Sequence, residues 1–194
     1  GARALRRMSY ANGNSAYNSY NTAVGFQALY SNQPTSSGNG NYNTALGYRA
    51  GFTNTTGNYN IFVGGAAGHY NTTGYFSVYI GYTAGYLNTT GYHNTFLGHQ
   101  AGHDNTTGNS NTYLGLNAGY ENTTGVQNTA VGNYAGDNYP ADTNCTFVGY
   151  GANVNATAYK NTTVIGHSAT GTASNQMRLG NGSIATMYCQ GAYA

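Results

Sequence analysis

The chain has 194 residues, of which 5 % are charged, 39 % apolar and 14 % aromatic, with 30 glycines and a formal net charge of +2. About a quarter charged is usual for a globular domain, so solubility must come from Asn, Thr, Ser, Tyr and Gly. So few cations also exclude a groove that tracks nucleic-acid phosphates. Scarce Leu, Ile, Val and Phe without charge repulsion fits neither a thick globular core nor a charge-expanded disordered chain, and points to short stacked units with thin cores.

Residues 1–20 read as an N-terminal cap or linker, with Arg3, Arg6 and Arg7 holding half of the basic residues. Gly1 to Met8 lacks the apolar centre of a signal peptide and no apolar membrane span follows. An exported chain then either uses another route or carries its leader outside this sequence, and no membrane insertion is expected.

Residues 21–171 are governed by a repeat. One glycine recurs every 17 residues at Gly47, Gly64, Gly81, Gly98, Gly115, Gly132, Gly149 and Gly166. Gly25 precedes the series with five extra residues, a loop around Gln33 to Gly40. Just before the glycine comes an aliphatic residue: Val24, Leu46, Val63, Ile80, Leu97, Leu114, Val131, Val148 or Ile165. Three after it comes alanine: Ala28, Ala50, Ala67, Ala84, Ala101, Ala118, Ala135, Ala152 or Ala169. These two columns are the expected core.

Strand alternation places the residue three before the glycine, mostly Thr, on the aliphatic side and the residue two before it on the opposite side. That opposite column holds Phe62, Tyr79, Phe96, Tyr113 and Phe147, with Ala23, Ala45 and Ala130 between them. If it points outward, the simplest way to bury it is against identical chains, so a homotrimer or other symmetric bundle is expected.

Each unit continues through Asn-Thr-Thr-Gly, a corner built on Asn and Gly. Seventeen residues suffice for two short strands and two turns and are too few for a βαβ unit. The expectation is an all-β fold, a parallel β-solenoid or β-roll of about nine coils. Asn54, Asn71, Asn88, Asn105, Asn122 and Asn161 also satisfy the N-glycosylation sequon, which a repeating corner would mimic without any glycan. Residues 172–194 read as a C-terminal strand or cap, with an alternating segment Ser183–Gln190 that closes the roll, pairs between chains or completes a neighbour's sheet.

The unit Asn-Thr-Ala-(Val/Leu)-Gly-x-x-Ala, as in Asn21–Ala28, Asn43–Ala50 and Asn128–Ala135, resembles the head repeats of trimeric autotransporter adhesins. The longer form with Asn-Thr-Thr-Gly is similar to repeats of phage-type tail fibres that precede an endosialidase-type intramolecular chaperone. Ala173–Asn181 and Ser183–Tyr188 look like the stretch before that chaperone, which itself is missing. The resemblance covers about Asn21 to Tyr188 and implies trimerisation and attachment to a host or other surface.

No catalytic constellation is expected. The acids are Asp104, Glu121, Asp137 and Asp142, and Asp104 and Glu121 share a turn position with no third group to orient them. His69 and His103 share a column two coils apart, about 10 Å, too far to hold one metal within a chain. His93, His99 and His167 likewise sit at variable turn positions. Cys145 and Cys189 form neither a disulfide framework nor a zinc spacing and read as small buried hydrophobes.

Turn tyrosines such as Tyr48, Tyr82, Tyr86, Tyr120 and Tyr150 stack between coils or chains, or on sugars of a cell surface. The leading expectation is a non-catalytic, cofactor-free, extracellular fibre or filament subunit whose partners are itself and surface glycans. Two alternatives stand beside it: an ice-binding solenoid using the Thr column Thr95, Thr112, Thr129, Thr146 and Thr163, and a glycosylated end-to-end filament.

Overall fold

A run of one short strand per repeat follows from Thr-x-(Val/Leu/Ile)-Gly, where β-branched and aromatic residues favour the pleat and the glycine ends it. In a computed structural model, which describes Ala4 and residues 19–33, 38–138 and 140–183, the strands are β1 Thr22–Val24, β2 Thr44–Leu46, β3 Ile61–Val63, β4 Val78–Ile80, β5 Thr95–Leu97, β6 Thr112–Leu114, β7 Thr129–Val131, β8 Thr146–Val148, β9 Asn153–Val154, β10 Thr163–Ile165, β11 Thr170–Gly171 and β12 Met177–Leu179. Ten of them form one parallel sheet in the order β1-β2-β3-β4-β5-β6-β7-β8-β10-β12. The register never slips: Ala45 lies beside Phe62, Phe62 beside Tyr79, Tyr79 beside Phe96 and Phe96 beside Tyr113. The fold is therefore all-β, a parallel β-solenoid of about 8 turns, with no helix among the described residues.

The second side of each turn is not the return strand expected from sequence. Through most of the solenoid it is a chain of turns, and among the described residues only β9 and β11 pair there as strands. Coil-to-coil hydrogen bonds nevertheless continue along it, as in Gly51 N–H to Ala67 O at 2.9 Å and Thr53 N–H to His69 O at 3.0 Å. The sheet also runs past residue 171, since Met177–Leu179 adds one more rung beside Thr163–Ile165. Residues 1–3, 5–18 and 184–194, which include most of the expected N-terminal cap, Cys189 and most of Ser183–Gln190, lie outside the described residues.

The interior reverses half of the expected core. The alanine column is buried, Ala50, Ala67, Ala84, Ala101, Ala118, Ala135 and Ala152 all at 0 % exposure. Its partner is not the aliphatic column but the aromatic one: Phe62, Tyr79, Phe96, Tyr113 and Phe147 point inward and are buried in their own chain, so they make no interchain contact. Val24, Leu46, Leu97, Leu114 and Ile165 are exposed, and Val63, Ile80, Val131 and Val148 half-buried, on the outer face of the sheet.

Ring size explains the inversion. Tyr79 and Phe96 stack at 4.9 Å, as do Phe96 and Tyr113, so the rings form a continuous pile along the axis. Each ring lies on the glycine that follows the core alanine. A Cβ on Gly102, whose φ is +59°, would stand 2.6 Å from Cδ2 of Phe96. Where the inward residue shrinks to Ala23, Leu29 takes the glycine position and fills the space, at 0 % exposure. Bulky side chains from both the aromatic and the aliphatic columns would not fit so narrow a coil.

Two asparagine columns complete the interior. Asn54, Asn71, Asn88 and Asn105 each donate Nδ2–H to the Oδ1 of the preceding coil's asparagine at 2.7–2.9 Å, starting from Asn32. The same amides donate to the carbonyls of Gly57, Gly74, Gly91 and Gly108 at 3.0–3.1 Å. In the second column Asn43, Asn60, Asn94 and Asn111 donate to Gly57, Gly74, Gly108 and Gly125 carbonyls. Their Oδ1 atoms accept the next coil's backbone N–H. Apart from Asn105, whose Oδ1 has no partner, these buried amides use both donor and acceptor and hold adjacent coils in register.

Candidate interaction surfaces

Strand alternation puts both flanks of each buried aromatic outward, so the sheet presents two parallel columns to solvent. One is Thr22, Thr44, Ile61, Val78, Thr95, Thr112, Thr129, Thr146 and Thr163; the other is the aliphatic series from Val24 to Ile165, extended by Leu179. Exposure reaches 53 % at Val24, 48 % at Leu46 and 42 % at Leu114. At roughly 4.8 Å per rung the strip is on the order of 40 Å long, far longer than the scattered apolar groups of ordinary surfaces. Neither column carries a charged residue.

Around the turns, aromatic side chains stack in columns. Tyr20, Tyr42, Tyr59 and Phe76 follow one another at 4.8–4.9 Å. Tyr30 and Phe52, Phe52 and His69, Tyr86 and His103, and His103 and Tyr120 stack at 4.9–5.2 Å. Directly after the repeat glycine runs a third column, where Phe26 pairs with Tyr48, Tyr82 with His99 and Tyr150 with His167. Gly65 breaks it between Tyr48 and Tyr82.

Beside that break lies a groove of about 390 Å³ lined by Tyr48, Arg49, Ala66, His69, Tyr82, Thr83, Tyr86, Gln100 and His103. A second, more apolar groove of about 480 Å³ lies on the other side of Tyr86, between Tyr70, Leu87 and the threonines Thr53, Thr72, Thr89 and Thr106. Sequence reading missed both. The signal for the first was the coincidence in one coil of Gly65 and Ala66, between coils that carry Tyr48 and Arg49 on one side and Tyr82 and Thr83 on the other.

His103 Nδ1 lies 2.6 Å from Asp104 Oδ1, and no group of three His, Cys, Asp or Glu suited to a metal occurs among the described residues. His69 and His103 sit on the same ring column with Tyr86 between them. Burial, then the charge of Arg49, lowers the pKa of His69, which keeps its ring neutral near pH 7. Burial pushes the Asp142 carboxyl up to about 6 against the Tyr159 N–H that binds it at 2.8 Å. Burial also raises Asp137, whose Oδ1 accepts from Asn153 at 2.6 Å. Cys145 is a free, buried thiol, raised chiefly by desolvation.

The sequon positions divide. Asn54, Asn71, Asn88 and Asn105 are 0 % exposed and Asn122 is 3 % exposed, their amides turned into the coil. A glycan on any of them is incompatible with the folded solenoid, which corrects the expectation for these five. Asn161 is exposed, its Nδ2 donating to Asn175 at 3.0 Å.

Compared with known proteins, the chain matches no family model, no curated protein and no solved structure.

Proposed function

We propose that the chain is a structural segment of an extracellular fibre of the tail-fibre or adhesin-head kind, non-catalytic and assembled as a homotrimer through the outer sheet face. The observation that carries this reading is the uncharged strip of threonine and aliphatic side chains repeated on every rung, from Val24 to Leu179. A flat apolar face of that length is the surface a second and third copy of the same solenoid would cover, each supplying the same columns to a common axis. The chain's own aromatics are already used inside the coil, so self-association draws on the aliphatic series instead. Of the six sequon positions named from the sequence, Asn161 alone is exposed and open to decoration, and the turn aromatics are the surface left for a glycan or other receptor.

Native mass measurement of the purified chain tests this. The expected result is a trimer that dissociates in Leu97→Lys/Leu114→Lys, whose ammonium groups would be buried at the axis. A monomeric wild-type chain would sink the reading.

A second reading is ice binding, favoured by the regular outward Thr95, Thr112 and Thr129 on adjacent rungs, each two residues from Leu97, Leu114 or Val131. Water ordered on that lattice requires the face to stay free. Thermal hysteresis in a monomer supports it, and a trimer without hysteresis excludes it.

A further inference from the structure

We propose that the groove beside Gly65 is a binding site for a saccharide that bears a carboxylate. The proposal deepens the surface-attachment reading above by giving it a site and a ligand class.

The groove exists because two columns lose their side chains in one coil. The first runs Phe26, Tyr48, Gly65, Tyr82, His99, and the second Gln27, Arg49, Ala66, Thr83, Gln100. With Gly65 empty and Ala66 short, the floor sinks between Tyr48 and Tyr82 on one side and His69, Tyr86 and His103 on the other. In the coils on either side, Phe26 stacks on Tyr48 and Tyr82 on His99. At Gly65 the stack is interrupted, and Tyr48 and Tyr82, 52 % and 59 % exposed, stand at its two ends. Exposed aromatic surface beside a polar floor is what the apolar face and hydroxyl edge of a pyranose ring require.

The floor also holds unused hydrogen-bonding capacity. His69 and Thr83 are each 7 % exposed, and neither His69 Nδ1 nor Thr83 Oγ1 has a partner. Buried polar atoms are normally paired, as the asparagine columns of this solenoid are except at Asn105 Oδ1, where the ladder ends. A ligand hydroxyl donates and accepts at once, so neighbouring hydroxyls of a sugar satisfy an imidazole nitrogen and a threonine hydroxyl together.

Arg49 closes one end. Its Nε donates to Gln27 Oε1 at 2.9 Å, and its guanidinium sits 5.1 Å from the Tyr48 ring centroid and 5.2 Å from that of Phe52. It is thus held in place with its terminal nitrogens left over, and no carboxylate pairs with it among the described residues. A guanidinium takes a carboxylate through two parallel N–H bonds. A single cation with no lysine or helix terminus nearby fits one carboxylate better than the denser charge of a phosphate. The volume of about 390 Å³ falls within the range of small-ligand sites.

The repeat itself supplies variants that should fold. Ala66→Gln places in the floor the residue that Gln27 and Gln100 already carry in that column at the same positive φ. Gly65→Tyr restores the ring of Tyr48 and Tyr82, with its Cβ 3.3 Å from the movable Tyr82 side chain. Arg49→Gln removes the charge.

Calorimetric titration of the full chain with oligogalacturonate and with a hyaluronan tetrasaccharide, using a neutral galacto-oligosaccharide as control, is the test. At least one acidic probe should bind at least tenfold more tightly than the neutral one. Arg49→Gln should abolish that preference, and Ala66→Gln and Gly65→Tyr should abolish binding with an unchanged or raised melting temperature. Failure of both acidic probes to bind, equal binding of the neutral control, or full binding by Ala66→Gln would overturn the site. The native mass of the same sample separates the two proposals: a trimer that binds no acidic probe removes the site alone, whereas a monomer that binds one removes the trimeric fibre and supports the site.

Discussion

Phe96 lies so close over Gly102 that a single methyl group on the glycine would enter the ring's own space, 2.6 Å from Cδ2. This contact recurs along the solenoid and sets how wide a coil can be. Gly102→Ala should therefore lose about 2–4 kcal/mol, combining overpacking with an L residue at positive φ. In a Phe96→Ala background the same change should cost only about 1 kcal/mol, the left-handed backbone term alone. Thermal or chemical denaturation of the four proteins of the cycle measures the difference, and additive effects would refute the ring-on-glycine contact.

Asn88 gives and takes in one column: Nδ2–H to Asn71 Oδ1 at 2.8 Å and to Gly91 O at 3.1 Å, with Oδ1 accepting from Asn105 at 2.7 Å. Asn88→Ala strands the partners in two neighbouring coils, for an expected loss of about 2–4 kcal/mol. Asn88→Asp should be at least as damaging, because carboxylate oxygens would face two acceptors. Hydrogen exchange should localise the opening to the coils on either side of residue 88.

Asp142 gives the stability a pH dependence of known sign. Its carboxyl titrates at about 6 when folded, against 3.8 for a free aspartate, so between these values the folded chain holds a proton that the unfolded chain has released. The stabilisation is complete below about pH 4 and is lost as pH rises through 6, on the order of 2–3 kcal/mol in total. His69, with a lowered pKa, acts in the opposite sense, losing stability as pH falls. Comparing melting temperatures of wild type and Asp142→Asn from pH 4 to 7 isolates the aspartate. The variant should gain on wild type as pH rises, and parallel curves would contradict the shift.

The Tyr113 hydroxyl is buried with no hydrogen bond of good geometry, beside an Asn128 amide that gives one N–H to Asp142 O and accepts Cys145 N–H. Burial raises the phenol pKa well above its ordinary value. Tyr113→Phe matches the ring that Phe96 carries one coil earlier and removes an unpaired polar group. It should be neutral or stabilising by about 1 kcal/mol. A loss of stability above that size would mean the hydroxyl is bonded.

The strands were legible residue by residue. Thr95-Phe96-Leu97-Gly98 and its equivalents mark each rung, and alternation correctly separates Phe96 from its two neighbours. Which side is inside was not legible from alternation, which is symmetric between faces. The usable clue was the glycine after each core alanine, as at Gly68, Gly85 and Gly102, which leaves room for a ring against it as well as suiting the left-handed backbone there. The invariant asparagines were read as corner residues and glycan acceptors, because one sequence pattern serves both and only burial separates them. The groove depends on side-chain loss at Gly65 and Ala66 in adjacent columns, a feature of the stacked surface rather than of any one repeat.

The sequence alone determined the period, the strand positions and the parallel stacking, because a constant 17-residue spacing lets each coil pair with the next in one register. Only the tertiary structure decided that rings and asparagines fill the coil while Val24 to Ile165 line its outside. That choice is made by steric fit across the coil, between Phe96 and Gly102 or Asn71 and Asn88, and such contacts are not encoded in the spacing of either residue by itself.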